Sequence, residues 1–599
     1  MTRSEQTDSA HVYCYDDART CEEGEEIHVA SALRSKTSVT SWLFHLKLRP
    51  DTSAFHNDLV VETSLLGRIK PEIGHIYSGE LVGEPSSHVY GALVDGVFHG
   101  AIQSRSGRYY VENARRFFSG PKPFHSVLYD ARDARFPDTG APGGWCGVRG
   151  ETERWMDSVM KSRANLAATA AAQRATQPKQ NITPSRSVIR RDTVQRWTAS
   201  PKTRTAGHLP RTAAKPSCLT HALDVEGTGN ASGRILPVYS RRVCNLKVSV
   251  DHLLYEHIYR GEQNPSRTRA RITALIASHV NRASAVYRRT SFGGIQDISF
   301  IVQKIRINDS RSCAEGVKKG NPFCSDGIDA AYLLHLTSKE NNDDFCLAYT
   351  WTFRDFADGI LGLAWIARSQ LMYYAIPSLV SIPLSKRPGK LKVWVKGGIC
   401  EKNRPSVDQD PGTTEFRQFY LSLNSGVLTF LNYNSPVSQA VSELTFCHEI
   451  GHNFGSAHYL TVGSKHDSPP GVSCFGACAP CGVRGNYLMF PTATKGSEFN
   501  NDKFSPCSIR NITDVLKPMF EGRSNRENCF QELTGLNHFA SIEMGPPQSG
   551  SNARPSGHQQ STTAADPPLR TAGNAQVLCT YTEVHVKNIQ VVEICEALY

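Results

Sequence analysis

The 599-residue sequence predicts an α/β (α+β) protein: a mixed, mostly parallel sheet carrying a functional helix, preceded by a β-rich domain. Three observations predict it. Between Val39 and Tyr129, apolar and polar residues alternate in runs such as "HIYSGELV" and "VYGALVDGVFHGAIQSRSGRYYVENA", with Gly, Asp and Ser turn signals between them. From Val243 onward, strand-like runs alternate with helix-period runs, the order that builds a mixed sheet. Finally, "VSQAVSELTFCHEIGHNFG" keeps a helical period behind Ser435-Pro436, proline being at home where a helix begins.

In chain order, residues 1–35 read as disordered and 36–148 as the β-rich domain. Residues 149–242 follow as a basic low-complexity linker. Between Arg149 and Lys215 there are 14 Lys/Arg against 4 Asp/Glu, so most of the formal net charge of +11 lies there. Those charges decorate a stretch rich in Ala, Ser, Thr and Pro rather than a folded face interleaved with aromatics, which argues against nucleic acid as a partner. The second folded region, 243–530, opens with strand-like "CNLKVSVDHLLYEHI". Helix-like "RARITALIASHVNRASAVYRRT", strand "ISFIVQKIRI", helix "GIDAAYLLHLTSKE" and strands "FCLAYTW" and "GILGLAWIA" follow. Residues 368–396 interrupt this order as an insertion, and 531–599 read as a disordered or unassigned tail.

The 17 cysteines and the sequons at Asn181, Asn230, Asn308 and Asn511 predict an oxidising, secretory setting with disulfides and glycans. The polar N-terminal segment shows no signal-peptide h-region. The longest apolar run, Leu371 to Leu384, is shorter than the ~20 residues of a membrane span and holds two prolines.

The segment "CHEIGHNFGSAH" carries the chemistry. His448 and His452 stand at i and i+4, so both imidazoles leave one helix face toward one point. Gly455 permits the positive φ that turns the chain and returns His458 as a third nitrogen. Three histidines at ~2.0–2.1 Å from Zn²⁺ leave a fourth position open, the mark of a catalytic rather than structural site. Glu449, beside the first ligand, is suited to act as a general base. A core histidine is the commoner fate of a histidine on an apolar helix. The extended H-E-x-x-H-x-x-G-x-x-H spacing makes that reading remote here. Met489 in "GNYLMFPTA" is placed to form a methionine turn beneath the metal, a role compatible with ordinary core packing. Cys447 lies about 100° around the helix from His448 and reads as a small buried residue.

These motifs, with "DDFCLAY", "DGILGLAWIA", "GGICEKN" and "NNDKFSPCSIRNI", resemble the catalytic domain of an ADAM, a disintegrin-and-metalloprotease of the reprolysin (metzincin) group. The likeness is greatest to its Kuzbanian or α-secretase branch. The runs "HIYSGELVG", "GALVDGVFHGAIQSRSGRYYVE" and "PFHSVLYD" are similar to that branch's prodomain. The resemblance implies a zincin fold and a zinc-dependent endopeptidase with one catalytic Zn²⁺, acting on protein substrates. Ectodomains of membrane proteins, Notch-type receptors and amyloid-precursor-type proteins among them, would be cut at the cell surface or in the secretory pathway. It further implies that Gly362, Leu363, Ala364 and Trp365 form the strand on which substrate pairs. Cys146 in "GGWCGVRG" would be the inhibitory thiol, and a proprotein convertase would cut at Arg190-Arg191 or Arg241-Arg242. By the same resemblance, disulfides would join Cys244 to Cys346, Cys400 to Cys529, and Cys474 to Cys507; Cys313 with Cys324 pair locally or not at all. Tyr459 departs from the family's aspartate after the third histidine. An inactive zincin-fold binding protein and a truncated non-functional product stay open as alternatives.

Overall fold

The computed structural model describes residues 42–118, 126–134, 145–176, 241–309, 311–314, 321–368, 397–409, 416–458, 486–494 and 496–532. It also describes short strands at 6–7, 11–13, 27–34, 371–374, 391–394 and 591–592. Residues 1–170 with 239–599 make one compact unit, and 171–238 a second that lies largely outside the described residues.

The β-rich region contributes β1 (Trp42–Pro50), β2 (Phe55–Thr63), β3 (Gly67–Ile69), β4 (Ile76–Leu81), β5 (Glu84–Val94), β6 (Val97–Gln103), β7 (Arg108–Asn113) and β8 (Ser126–Asp130). After it come β9 (Trp145–Cys146) and α1 (Gly150–Thr176). Then follow β10 (Arg241–Val250), α2 (His252–Glu262), α3 (Pro265–Arg288), β11 (Ser299–Ile307), α4 (Ala330–Lys339), β12 (Leu347–Thr352), β13 (Ile360–Ala364), β14 (Ser425–Thr429), α5 (Gln439–Asn453) and α6 (Pro506–Phe520).

Two sheets form. The first is an antiparallel meander, β8-β7-β6-β5-β4-β1, continued by Ile27–Arg34. The second runs β9-β13-β14-β12-β10-β11-β2-β3. Its centre is parallel, from β14 through β12 and β10 to β11, and β13 closes one side antiparallel to β14. Central strands buried on both faces read as continuous apolar runs, as "LAYTWT" does. The main core lies between this sheet and helices α3, α5 and α6, where Trp351, Tyr287, Phe300, Phe446 and Phe454 are fully buried. Helix starts follow their caps: Asp251 accepts from Leu254 N–H, Asn264 precedes Pro265, and Asp329 accepts from Tyr332 N–H.

Several sequence expectations are corrected. "CNLKVSVDHLLYEHI" is strand only to Val250; the Asp251 cap turns the remainder into α2. The β-rich region and the second folded region do not keep separate sheets, because β2 pairs parallel with β11 and, with β3 outside it, forms one side of the second sheet. Residues 149–242 are not linker throughout. Within α1, Met156, Val159, Met160 and Ala164 recur at helical spacing and are buried, a stripe that the Arg- and Ala-rich composition concealed. Segments expected to lack order supply strands: Ile27–Arg34 pairs with β1, Gln531–Glu532 with β10, and Val591–Val592 with Gln6–Thr7. In the insertion 368–396, Leu371–Tyr374 and Leu391–Trp394 pair as a hairpin.

Disulfides join Cys244 to Cys346, Cys400 to Cys529 and Cys313 to Cys324. Cys507 is disulfide-bonded, while Cys474 lies outside the described residues, as do Tyr459, Asn181, Asn230 and the dibasic step Arg190-Arg191. Asn308 cannot carry a glycan in this fold. It is fully buried, with Nδ2 donating to the Val250 carbonyl at 3.3 Å. Asn511, partly buried on α6, remains a candidate acceptor. Among the described residues, no helix is long and apolar enough to cross a membrane.

Candidate active site

Helix α5 is buried along its whole length, which is unusual for a helix this rich in Ser, Glu and His. Apart from the Glu449 carboxyl, its polar side chains are matched one by one. Ser438 at the N-cap makes no side-chain cap bond; the backbone N–H of Gln439 instead donates to Glu112 of β7 at 2.8 Å. Glu443 accepts from Ser278 at 2.6 Å, from Gln439 Nε2 at 2.9 Å and from Tyr110 OH at 3.0 Å. Arg108 stands 3.7 Å from the same carboxylate. At the other end, Asn453 receives Tyr349 OH and donates to the carbonyls of Trp365 (2.9 Å) and Ser425 (3.2 Å), locking the helix to β13 and β14.

One turn apart on this helix, His448 and His452 present Nε2 atoms 3.1 Å from each other. Gly455, at φ 114°, reverses the chain where a Cβ would strike Val515. His458 then returns with its Nε2 at 3.1 Å from that of His448 and 3.0 Å from that of His452. The far nitrogens settle the tautomers. His448 Nδ1 lies 2.7 Å from the Leu488 carbonyl, His452 Nδ1 lies 2.7 Å from the Ser456 carbonyl, and His458 bonds the Val148 backbone. A carbonyl only accepts, so the Nδ1 atoms of His448 and His452 donate and their Nε2 atoms keep lone pairs. Those lone pairs face the same point as His458 Nε2. Nitrogens at ~2.0–2.1 Å around a tetrahedral ion stand roughly 3.3 Å apart, close to the separations here. The donor set fits a metal cation.

Electrostatics agree. Burial lowers His448 to about 4, and burial with the neighbouring imidazoles holds His452 and His458 well below the usual range, so all three are in the neutral, ligating form. Cys146 is free and buried, with Sγ 3.3 Å from His452 Nε2, and it joins the three histidines as a fourth donor around the same point. Burial, then the neighbouring Glu449 carboxyl, pushes its thiol well up in the absence of a cation. Cys447 is also free and buried, its thiol pushed up to about 12 mainly by burial, an inert core residue as its spacing suggested.

Glu449 is fully buried, and neither carboxyl oxygen makes a hydrogen bond of normal geometry; burial raises it to about 8. The space for it exists because residue 362 is glycine: a Cβ there would lie 2.6 Å from Glu449 Oε1. Gly362→Ala is therefore expected to push the carboxyl aside and lower peptide hydrolysis by roughly 10²-fold, the scale of an ångström-level misplacement. Metal content should stay unchanged, as paired turnover and metal assays would check. Met489 is fully buried beneath the histidines, and a Cβ on Gly451 would lie 2.3 Å from its Sδ.

Strand β13 places Leu363 and Ala364 beside the helix, and Trp365 directly after it donates from Nε1 to Ser338 at 2.9 Å. The segment around Cys146 occupies the outer side of that strand. β9 pairs with β13 in parallel, Cys146 opposite Gly362; Gly147 N–H donates to the Gly362 carbonyl at 2.7 Å and Cys146 N–H to Pro491 at 3.0 Å. The spacing of the motif singled out the histidines, Glu449 and Gly455 as candidates, and the separate segment "GNYLMFPTA" singled out Met489. It carried no signal for Glu112, Tyr110 or the carbonyls of Leu488 and Ser456. Gly451, inside the motif, could have been singled out from its place on the Met489 side of the helix.

The profile of metallo-peptidase family M12B, Reprolysin-like, matches residues 269–518. "Disintegrin and metalloproteinase domain-containing protein 10" of Homo sapiens is 34% identical over 492 residues, covering 82% of this chain and 51% of that protein. The Caenorhabditis elegans homolog is 32% identical over 517 residues, covering 82% and 47%. The chain thus spans about half the length of the curated relatives it matches. Metalloproteinase-II from Bacteroides fragilis overlays 80% of this chain and 89% of its own at a TM-score of 0.25 and 8% identity, too loose to bear on the fold. Sequence likeness across both the β-rich region and the histidine-bearing domain leads to one conclusion: the chain belongs to the disintegrin-and-metalloprotease (ADAM) family of reprolysin-type metallopeptidases, on the branch of its protein-10 relatives.

Proposed function

We propose that this chain is the latent form of a zinc-dependent endopeptidase. The observation that carries the reading is the convergence of three imidazole Nε2 atoms, 3.0–3.1 Å apart, beside a buried carboxyl whose neighbour is the Cys146 thiol. His448, His452 and His458 would hold Zn²⁺, which when bound supplies Lewis-acid polarisation of a carbonyl and an acidified water. Glu449 accepts the proton released as water adds to the scissile carbonyl and passes it to the departing amine nitrogen. Backbone groups of Gly362 to Ala364 align an extended substrate by strand pairing, and Trp365 and Asn453 hold that strand against the helix.

The same likeness supports ectodomains of membrane proteins, including Notch-type receptors and amyloid-precursor-type proteins, as substrates in the secretory pathway or at the cell surface. The disulfides seen among the described residues fit that compartment. Cys146 acts as the inhibitory thiol. Its segment fills the substrate side of β13, and a proprotein convertase cutting at Arg241-Arg242 or Arg190-Arg191 would release it. Cys146→Ala should give the unprocessed chain measurable hydrolysis of a small peptide; unchanged latency would remove the thiol from the account. The reading as a whole is tested by cleavage of a peptide library by the processed chain with and without a chelator. Turnover that is lost on chelation and restored by zinc supports it, whereas chelator-insensitive turnover, or none, counts against it.

A further inference from the structure

Helix α1 is more than a connector, since it seats one face in a groove built on the catalytic domain. Met156, Val159, Met160 and Ala164 share a continuous cluster with Leu363, Trp365 and Cys146, so the groove runs on from the substrate strand. Trp155 packs against Trp365 with ring centroids 5.1 Å apart and donates to Asp408 Oδ1 at 2.9 Å. Asp408 is held in turn by His335 at 2.7 Å. Two turns further along α1, Arg163 enters a pocket of acceptors at the base of the hairpin formed by Arg404–Gln409 and Phe416–Leu421. It donates to the carbonyls of Lys402 (3.2 Å), Arg404 (3.3 Å) and Leu421, to Ser406 Oγ (3.2 Å) and to Glu401 Oε1 (3.3 Å). Glu401, Ser406 and Asp408 are buried.

Acceptors arranged in this way match the planar fork of a guanidinium, and a point-charge ammonium satisfies fewer of them. When α1 departs, Glu401 keeps Arg404 and Arg526 within 4 Å. The carbonyls of Lys402, Arg404 and Leu421 lose the Arg163 guanidinium and Asp408 Oδ1 loses the Trp155 indole, though Ser406 Oγ still donates to Arg404 and His335 still holds Asp408, and the apolar floor is bared. We propose that this vacated groove is a docking site of the processed enzyme for a basic amphipathic helix of a protein partner. The partner helix would present an aromatic residue, apolar residues one, four and five positions later, and an arginine eight positions later, as α1 does with Trp155, Met156, Val159, Met160 and Arg163. The proposal rests on the endopeptidase reading for its biological setting, but not for its test.

The test uses a fluorescently labelled peptide of residues 150–176 and the full chain carrying Trp155→Ala with Arg163→Ala, whose own helix has lost both anchors. Anisotropy should show saturable binding at least tenfold tighter than for the same peptide with Arg163→Glu, with Arg163→Lys between them. The wild-type chain, its groove filled, should bind none of the three. Equal binding of the wild-type and Arg163→Glu peptides overturns the proposal, and so does absence of binding by a variant that still melts cooperatively. If the double variant does not fold, the single Arg163→Lys chain must give the same peptide ranking, and equal affinities there overturn it as well. Because binding is read without turnover, an inactive protease centre would leave this result intact.

Discussion

Glu449→Gln is expected to lower peptide hydrolysis by about 10²–10⁴-fold while leaving metal content unchanged. The amide keeps the volume of the carboxyl, so Gly362 and β13 need not move, but it cannot take a proton from water. His448 and His452 draw their orientation from the carbonyls of Leu488 and Ser456 and His458 from the Val148 backbone, none of which depends on Glu449. Stability should change little, because burial raises the native carboxyl to about 8, so that near neutral pH the amide replaces one mostly neutral buried group with another of the same volume. Turnover, zinc analysis and thermal melting on one preparation separate these effects. A fall below tenfold, or loss of zinc with the activity, would remove the general-base assignment.

The second large effect is expected far from the metal. Glu112 lies on β7 in the β-rich region, yet it accepts the Gln439 N–H at the start of α5, together with Tyr129 OH and Arg116. Arg116 also donates to the Val437 carbonyl at 2.7 Å. A negative charge at a helix N-terminus is favourable, and here it stands in for the cap that Ser438 does not provide. Glu112→Ala leaves a mostly buried guanidinium without its counter-ion and the first turn of α5 without its acceptor. Breaking one side of a buried pair costs about 3–5 kcal/mol, so the unprocessed chain should melt several degrees lower. Amide exchange should accelerate at Gln439 and its neighbours in the first turn. A variant with unchanged melting and exchange would show that the β-rich region does not brace the catalytic helix.

Much of the metal centre was legible because its parts lie close together in sequence. An i,i+4 pair and a glycine-enabled return confine three imidazoles to one point whatever surrounds them. The bracing of α5 was not legible. Glu112 and Glu443 are 331 positions apart and look like ordinary strand and helix charges until their partners are seen. The pairing of β2 with β11 was hidden for the same reason, since alternation reveals a strand but not its neighbour. In α1, four apolar positions at helical spacing were outweighed by a composition suited to a linker. Buried Asn308 shows the converse error, in which a sequon is read without knowing that its side chain faces the core. The disulfides Cys244–Cys346 and Cys400–Cys529 were reached through resemblance to a family; spacing alone left every connectivity open.

X-ray absorption at the zinc edge of the intact, unprocessed chain tests the central claim most directly. The account predicts one zinc per chain, with three nitrogens at ~2.0–2.1 Å and one sulfur at ~2.3 Å. The sulfur scatterer should be lost in Cys146→Ala, and the ion itself in His452→Ala. A chain that melts cooperatively but binds no zinc, or binds it without imidazole scattering, would contradict it.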